Sequence, residues 1–442
     1  MENQVPLHVH AGMLYNGSMK ILVIGGGGRE HAILWRLSRD AAKHVLFAAP
    51  GNAATAGIAT NVPIGAEDVD DICAWAQLAR PDLVVVGPEA PLCAGVADAL
   101  GRIGIPVFGP VSAAARMEGS KQFAKEVMNA AGVPTARAEI FSNAAAAREA
   151  LPRFGLPVVI KADGLAAGKG VVVAQTAEEA VAAVNDMLEG GRFGAAGASI
   201  LVETFLAGEE ASILALIDGE RIALLPSAQD HKRVNNNDEG PNTGGMGAYS
   251  PAPVVTAEVE AFARDRIFRP VVDELARRGI VYRGVLYAGL MIGPAGINVL
   301  EFNCRFGDPE TEAILPRIGG DFAELLLSCA EGRLDPSSLV IDPRACATVV
   351  MAAPGYPGHY PKGLPITGLD AAGAMDGIVV FHAGTAEKDG AVVTSGGRVL
   401  SVTALGATLR EAVDAAYAGV RRIHFDGAHF RTDIARRAFD RG

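Results

Sequence analysis

The sequence predicts a soluble multidomain protein with α/β and α+β parts. Its 442 residues are more than one hydrophobic core usually supports, and half of them are hydrophobic. Short apolar runs alternate with helical stretches up to about residue 110, as in a parallel sheet with crossover helices. Farther along, apolar runs follow one another as in antiparallel sheets. We therefore expect a parallel-sheet domain at 19–118, an α+β region at 119–330 and a small α/β cap at 340–442.

Charge and cysteine content narrow the class of protein. The formal net charge of −11 argues against a nucleic-acid or anionic-membrane surface, which needs a basic face. The longest apolar runs are of strand length and too short to span a bilayer. The five cysteines form no CxxC pair, which favours reduced thiols in the cytoplasm over disulfides or a zinc site.

Residues 1–18 stand apart from the rest of the chain. They contain no Lys or Arg and no long apolar core, so they resemble neither a secretory signal nor a transit peptide. A strand begins directly after Met19. We expect Met19 to be the natural start and 1–18 to be a disordered extension or a non-native leader.

The first domain should gather three loops at one edge of its sheet. Strands are predicted near Lys20–Gly25, His44–Ala49, Asp82–Gly87 and Pro106–Gly109, with helices between them. Binding loops of parallel sheets lie at the carboxyl ends of the strands. Those ends carry Gly25 to His31, then Pro50-Gly51-Asn52, then Gly87-Pro88-Glu89.

The loop Gly25–Gly28 follows a strand and opens a helix, an arrangement that binds anions. A dinucleotide site is disfavoured, because Glu30 replaces the third glycine of GxGxxG and no acid ends the second strand. We expect a bound phosphate; a merely structural turn is the alternative. Glu30 and His31 lie in the first helical turn, where capping and ligand contact both remain open.

Lys161 ends an apolar strand directly before the glycine-rich loop Gly164–Gly170. A lysine beside a mobile loop of backbone donors suits a nucleotide triphosphate. The loop lacks GxxxxGK[ST] spacing, so it is not a P-loop. The alternative is a lysine that extends from the strand end into solvent.

Two further strands end in polar residues. Glu301 and Asn303 are two residues apart, hence on one face of a strand, and their oxygens suit Mg²⁺. The alternative is an ordinary polar strand face. The strand from Ile200 to Leu206, with Glu210 beyond it, could serve an adenine and a ribose, although this signal alone is weak. We interpret Asp308-Pro309-Glu310 as helix cap, first-turn proline and first-turn acid, not as metal ligands.

A long loop, Ser227–Pro253, concentrates charge and glycine in one connection. Such loops in compact domains are usually functional, and a solvated charged loop is the alternative.

Together these motifs resemble the ATP-grasp ligases and, among them, the family of phosphoribosylamine–glycine ligases. The resemblance rests on Gly25 to His31, Lys161–Gly170, Asp230–Arg233, Pro241–Gly247 and Glu301–Glu310, and it runs from Met19 almost to the end. Ala54, where the family often has Gly, and Asn235 to Asn237 depart from the pattern. The resemblance implies a Rossmann-like N-terminal domain, a two-lobed ATP-grasp core with a lid lobe at roughly 135–207, and a C-terminal cap.

The resemblance also implies roles for individual residues, which we state as expectations. Catalysis would use Lys161, Arg305 and Asp230; metal binding (Mg²⁺ or Mn²⁺) would use Glu301 and Asn303, without a third protein ligand. ATP would be bound by Lys121, Lys161, Gly168, Lys169, Gly170, Glu203, Phe205, Leu206 and Glu210. The substrates would be bound by Gly26, Gly27, Gly28, Arg29, Glu30, Asn52, Pro88, Glu89, Lys232, Arg233, Asn242, Thr243, Gly244, Gly245 and Met246.

The implied reaction joins glycine to phosphoribosylamine through glycyl phosphate, with ATP as co-substrate. The partners would be these small molecules only, with no nucleic acid and no membrane, in a cytoplasmic monomer or at most a weak dimer. Rival hypotheses are another ATP-grasp carboxylate–amine ligase, a dinucleotide oxidoreductase and a non-catalytic nucleotide sensor.

Overall fold

The computed structural model describes residues 17–165, 170–190 and 197–441. Almost all of the predicted extension at 1–18 therefore lies outside the described residues, as do Gly168 and Lys169 of the glycine-rich loop.

The N-terminal region is built on a five-stranded parallel sheet of order β3-β2-β1-β4-β5. In β1, Leu22 and Ile24 face one apolar cluster, and Ile21 and Val23 face another. Burial on both faces explains the continuous apolar runs of its central strands. Its elements are β1 (Lys20–Gly25), α1 (Gly28–Leu37), β2 (Val45–Pro50), β3 (Thr60–Asn61), α2 (Val69–Ala79), β4 (Leu83–Val86), α3 (Glu89–Cys93), α4 (Val96–Arg102), β5 (Val107–Phe108) and α5 (Ser112–Gly119).

The central region contains two four-stranded antiparallel sheets. One has the order β6-β9-β7-β8 and packs against two helices. In the other, β11 and β10 are joined by two later strands, β16 (Arg283–Gly293) and β17 (Gly296–Asn303), in the order β11-β10-β16-β17. The elements are α6 (Lys121–Ala130), β6 (Ala138–Phe141), α7 (Ala144–Ala150), β7 (Val158–Ala162), β8 (Val171–Ala174), α8 (Ala177–Leu188), β9 (Ile200–Thr204), β10 (Glu209–Asp218) and β11 (Ile222–Leu224).

The predicted loop at 227–253 contains four short strands. Two of them, β12 and β15, belong to a five-stranded sheet that also contains β20 (Ala345–Ala352), β24 (Arg398–Gly406) and β21 (Ile378–His382), in the order β12-β15-β20-β24-β21. The loop prediction was therefore wrong in part, because the pairing partner of β15 lies about a hundred residues farther along the chain, in β20. The strands are β12 (Gln229–Asp230), β13 (Arg233–Asn235), β14 (Glu239–Asn242) and β15 (Gly247–Ser250).

The remaining elements complete the second central sheet and the cap. The predicted helix near 257–278 is continuous, with a wider turn at Arg264–Phe268 between α9 and α10. The elements are α9 (Ala257–Ala263), α10 (Arg269–Arg277), β16 (Arg283–Gly293), β17 (Gly296–Asn303), α11 (Glu310–Ile314), β18 (Ile318–Gly319), α12 (Phe322–Glu331), β19 (Val340–Ile341), β20 (Ala345–Ala352), α13 (Leu369–Gly373), β21 (Ile378–His382), β22 (Thr385–Lys388), β23 (Ala391–Thr394), β24 (Arg398–Gly406), α14 (Leu409–Val420) and α15 (Arg436–Phe439).

A bulge in β17 shapes the cleft between the two central sheets. Gly289 pairs with Glu301 and Leu290 with Val299, so Leu300 is an extra residue in its strand. A bulge leaves its extra residue outside the ladder and bends the strand. The Leu300 carbonyl instead accepts a hydrogen bond from Lys161 Nζ at 3.1 Å, which connects the two sheets. Within the described ranges, every helix is too short or too polar to cross a membrane.

Candidate active site

Lys161 reaches from β7 into the cleft beside Glu301. Its ammonium contacts the Glu203 carboxylate at 2.8 Å as well as the Leu300 carbonyl. Lys121, at the start of α6, donates to the Gly164 carbonyl at 2.8 Å. Burial lowers the pKa of Lys121; Glu301 acts in the opposite direction, and Lys161 lowers the pKa further. The ammonium groups of Lys121 on α6 and Lys161 on β7 therefore lie close to the carboxylate of Glu301 on β17.

Lys232 supplies a third positive charge from the segment after β12. Its ammonium is paired with Glu210 on β10. Burial alone would lower the pKa of Lys232, but Glu210, Asp230 and Glu301 raise it well above its usual value. The predicted ribose ligand Glu210 is thus engaged by a lysine in this structure.

The Glu301 carboxylate lies among these cations. Burial alone would raise its pKa, but Lys232, Lys161 and Lys121 outweigh burial and hold the pKa below the usual value. No described residue donates a hydrogen bond to this carboxylate, so its oxygens are free for a cation. Asn303, two residues on, offers an amide oxygen from the same strand face. This pair of hard oxygen donors fits Mg²⁺ or Mn²⁺.

Arg305 connects β17, the strand that carries the two predicted metal ligands, with the N-terminal sheet. Its guanidinium donates to Asn303 Oδ1 at 3.2 Å, to Glu118 at 2.8 Å and to Glu89 at 3.3 Å. Glu89 opens α3 at the carboxyl edge of the parallel sheet. The edge predicted to hold a sugar phosphate and the cleft predicted to hold ATP therefore meet at Arg305.

The three loops of the parallel sheet meet as predicted. Glu30 accepts a hydrogen bond from the Gly27 amide at 2.6 Å and packs against Gly25 and Gly87. Glu30 therefore caps the N-terminus of α1 through the Gly27 amide, as one of the two sequence interpretations expected. Its other carboxylate oxygen accepts a hydrogen bond from Arg29. Gly26 lies so close to Gly51 that a Cβ atom on it would stand 2.5 Å from the Gly51 carbonyl oxygen. The close approach of two backbones explains the glycine at this position.

Asn52 holds these loops in place. Its amide nitrogen donates to the carbonyls of Gly26 and His382, and its oxygen accepts from the amides of Ala54 and Thr55. In this structure the Asn52 side chain therefore holds the loops together, whereas the sequence analysis predicted that it contacts the substrate directly. His31 likewise accepts from the His382 amide, and burial lowers its pKa to about 3.

The segment 243–245 packs against the residues that follow β17. Arg398 of the cap donates to the carbonyls of Gly244 and Asp308 and pairs with the Asp308 carboxylate at 3.0 Å. Asp308 is therefore not the helix cap that the sequence suggested. Pro309 occupies the capping position instead, and the carboxylate is bound by Arg398.

Three residues predicted to bind substrate or ATP, Met246, Arg233 and Glu203, have side chains that are engaged in other contacts. Met246 is fully buried with Val234 and Ala352, so it serves as core. Arg233 donates to the Gly240 carbonyl within its own hairpin, across from Asn242. Glu203 is buried between Lys125 and Lys161, which leaves only its backbone for a base. In contrast, Phe205 is 42% exposed and its ring is available.

Several residues were missed from the sequence. Lys125 follows Lys121 by one helical turn on α6, so the two lysines share a helix face, and this spacing was a sequence signal for Lys125. Glu118 stands directly before Gly119-Ser120-Lys121, and its carboxylate also accepts a hydrogen bond from the Cys304 backbone amide at 2.8 Å. Arg398 and Glu312 carried no local signal, since each depends on contacts between distant segments.

Known proteins match this chain along nearly all of its length. Models of the phosphoribosylglycinamide synthetase N domain, ATP-grasp (A) domain and C domain match residues 19–118, 119–311 and 346–437. The phosphoribosylamine–glycine ligase of Escherichia coli O6:H1 is 52% identical over 427 residues, covering 96% of this chain and 99% of that protein.

Solved structures agree with these matches. The crystal structure of phosphoribosylamine–glycine ligase from Thermotoga maritima has a TM-score of 0.82 and 35% identity, over 94% of this chain and all of that one. The biotin carboxylase domain of Hydrogenobacter thermophilus 2-oxoglutarate carboxylase, 19% identical, shares the fold with a TM-score of 0.70 over 93% of this chain and 91% of that one. The expected fold class is confirmed, and the chain belongs to the phosphoribosylglycinamide synthetase family.

Proposed function

We propose that this protein joins glycine to 5-phosphoribosylamine with ATP, forming glycinamide ribonucleotide, ADP and phosphate in purine biosynthesis. It is a ligase that forms a C–N bond, as its family membership indicates. The observation that carries the proposal is the grouping of Lys121, Lys161 and Lys232 around Glu301, joined through Arg305 to the edge of the parallel sheet.

In the first step, a carboxylate oxygen of glycine attacks the γ-phosphorus of ATP, and the bond from that phosphorus to the β–γ bridging oxygen breaks. The products are glycyl phosphate and ADP. Lys121 and Lys161 neutralise the phosphate oxygens, and their prior placement lowers the cost of reorganisation. Glu301 and Asn303 would hold Mg²⁺ or Mn²⁺, which supplies further charge neutralisation when bound.

In the second step, the amine of phosphoribosylamine attacks the acyl carbon. The C–O bond to phosphate breaks, so phosphate leaves with one of the original glycine oxygens, and the amine loses a proton. Arg305 would hold the transferring phosphoryl group or the glycine carboxylate, and Asp230 would hold the glycine ammonium. No protein nucleophile takes part, so alignment and exclusion of water are the contributions of the protein.

The nucleotide would lie between the two central antiparallel sheets. Phe205 and Leu206 follow β9 and would contact the adenine, while Glu203 contributes its backbone and holds Lys161 in position. Glu210 would bind the ribose, shared with Lys232. The loop that includes Gly168, Lys169 and Gly170 would close over the phosphates and protect glycyl phosphate from water.

The sugar phosphate would bind at Gly26, Gly27 and Gly28, where α1 begins and presents the positive end of its dipole. The Gly27 amide already donates to Glu30, so the other amides of this loop would bind the phosphate. Arg29, Pro88, Glu89, Thr243, Gly244 and Gly245 would border it, with Arg398 added to the predicted set. We further propose three domains with the predicted boundaries and a cytoplasmic monomer, or at most a weak dimer, that binds no nucleic acid.

The test is a coupled assay for ADP release by the purified protein. We expect release that requires glycine and phosphoribosylamine together, and no turnover of NADH or NADPH. ADP release with bicarbonate or formate in place of glycine would favour the rival ATP-grasp ligase. Nucleotide binding without any turnover would favour a sensor.

A further inference from the structure

Glu312 is a buried acid that packs against the loop Gly25–Gly28, where we propose that the substrate phosphate binds. It lies on α11 with none of its surface exposed. It stands so close to Gly28, the first residue of α1, that a Cβ atom on Gly28 would clash with Glu312 Oε1. An acid of the central region therefore touches the helix N-terminus at which an anion would bind.

The carboxyl of Glu312 has few partners. Oε1 receives a long hydrogen bond from Ser401 at 3.4 Å, and Oε2 has none among the described residues. The two nearest guanidinium groups are bound elsewhere. Arg398 pairs with Asp308, and Arg29 pairs with Glu30.

An ionised carboxyl without a paired cation is very unfavourable in such a place. Three charged side chains face Glu312: Asp308 from the preceding segment, Arg398 from β24 and Arg29 from α1. Burial and the nearby Asp308 raise the pKa of Glu312 well above its usual value, and Arg398 and Arg29 only partly oppose this.

We infer that Glu312 works as a neutral carboxylic acid, and that its neutrality keeps the α1 N-terminus positive enough to bind the substrate phosphate. A carboxylate touching Gly28 would neutralise the positive end of the α1 dipole and repel the phosphate. The inference rests on the proposal that the phosphate binds at this loop. Glu312 is thus a positioning residue that sets the charge of the site without touching the reacting atoms.

The test compares wild type with Glu312→Gln and Glu312→Met, two neutral replacements of similar size. Glycinamide ribonucleotide binding is measured by calorimetry at pH 7. We expect both variants to bind within about 3-fold of wild type. If Glu312 were ionised, removing its charge would strengthen binding by on the order of 10-fold or more, and that result would overturn the inference.

A second readout does not depend on affinity. Infrared difference spectra at pH 7 should show the carbonyl stretch of a protonated carboxyl in wild type that is missing from Glu312→Gln; absence of this band in wild type would also overturn the inference. Glu324→Gln, an exposed acid on α12, is the control for the same change in net charge. Gly26→Ala tests the site itself: unchanged ligand affinity there would refute the proposed phosphate site while leaving the protonation readout intact.

Discussion

Arg305 donates a hydrogen bond to the side-chain oxygen of Asn303 at 3.2 Å. The same guanidinium contacts Glu118 and Glu89, so one side chain connects a metal-ligand candidate with the carboxyl edge of the parallel sheet. The two substrates of a ligase must meet, and this contact is where the two halves of the site join.

Arg305→Lys should lower kcat by roughly 10- to 100-fold. A lysine is a point charge and cannot contact Asn303, Glu118 and Glu89 in the fixed geometry of a guanidinium. Steady-state kinetics would show the loss. Arg333→Lys, which makes the same change at an exposed arginine with two acidic partners, should be silent. Equal activity of the two variants would remove Arg305 from the mechanism.

Lys161→Ala and Glu301→Ala should each lower turnover by about 10²–10³, the usual cost of losing one preorganised charged group. Both residues lie in the cluster that we assign to ATP and its metal. Kinetics at saturating ATP measure the effect, and Lys388→Ala on an exposed hairpin is the control. Near-normal turnover of a folded variant would show that the residue is not required.

Asp230 should impose an acid limb on the pH profile. Burial, with the nearby acids Glu310 and Glu210, raises its pKa to about 7, although Lys232 opposes the shift. A carboxylate is needed to hold an ammonium, so kcat/KM for glycine should rise with pH and level off above about 7. Asp230→Asn should lose roughly 10²-fold in kcat/KM and flatten this limb. A limb that persists in Asp230→Asn would belong to another group.

The same substitution should stabilise the protein without substrates at alkaline pH. For an acid whose pKa is raised on folding, the favourable contribution is full below the unfolded value of 3.8 and is lost as pH rises to about 7. Asp230→Asn avoids this loss, so its melting temperature should exceed that of wild type at pH 8. The difference should shrink toward pH 4.

Gly26→Ala should raise KM for phosphoribosylamine by about 10-fold or more, because its Cβ would push the Gly51 loop away. The KM for ATP should change little, since the nucleotide site that we propose lies in the other half of the cleft. Gly57→Ala is the matched control, because a Cβ atom there meets nothing within 4 Å. Equal effects on both substrates would indicate a general loss of structure.

Local patterns predicted much of the fold. The four predicted strands of the parallel sheet lie within one or two residues of their predicted ends, because burial on both faces leaves continuous hydrophobic runs. The short edge strand β3 (Thr60–Asn61) was not predicted. Lys161, Glu301 and Asn303 were predicted as site residues because each lies near the end of an apolar strand, where a polar side chain is unusual.

Contacts between distant segments could not be predicted in this way. The strands within 227–253 form because β15 pairs with β20. Asp308 had the sequence of a helix cap, but Arg398, 90 residues away, binds its carboxylate. Glu203 was predicted to line an adenine site, yet its carboxylate is paired with two lysines from other elements, Lys125 and Lys161. In the first case a distant strand, and in the other two a distant charged side chain, decided the role of residues with an ordinary local sequence.

The most direct test of the central claim follows an oxygen atom. The protein is supplied with ATP, phosphoribosylamine and glycine labelled with ¹⁸O in its carboxylate, and the released phosphate is analysed by mass spectrometry. Attack of the carboxylate on the γ-phosphorus predicts one labelled oxygen in each phosphate released. Phosphate without label, formed together with glycinamide ribonucleotide, would contradict the glycyl phosphate route.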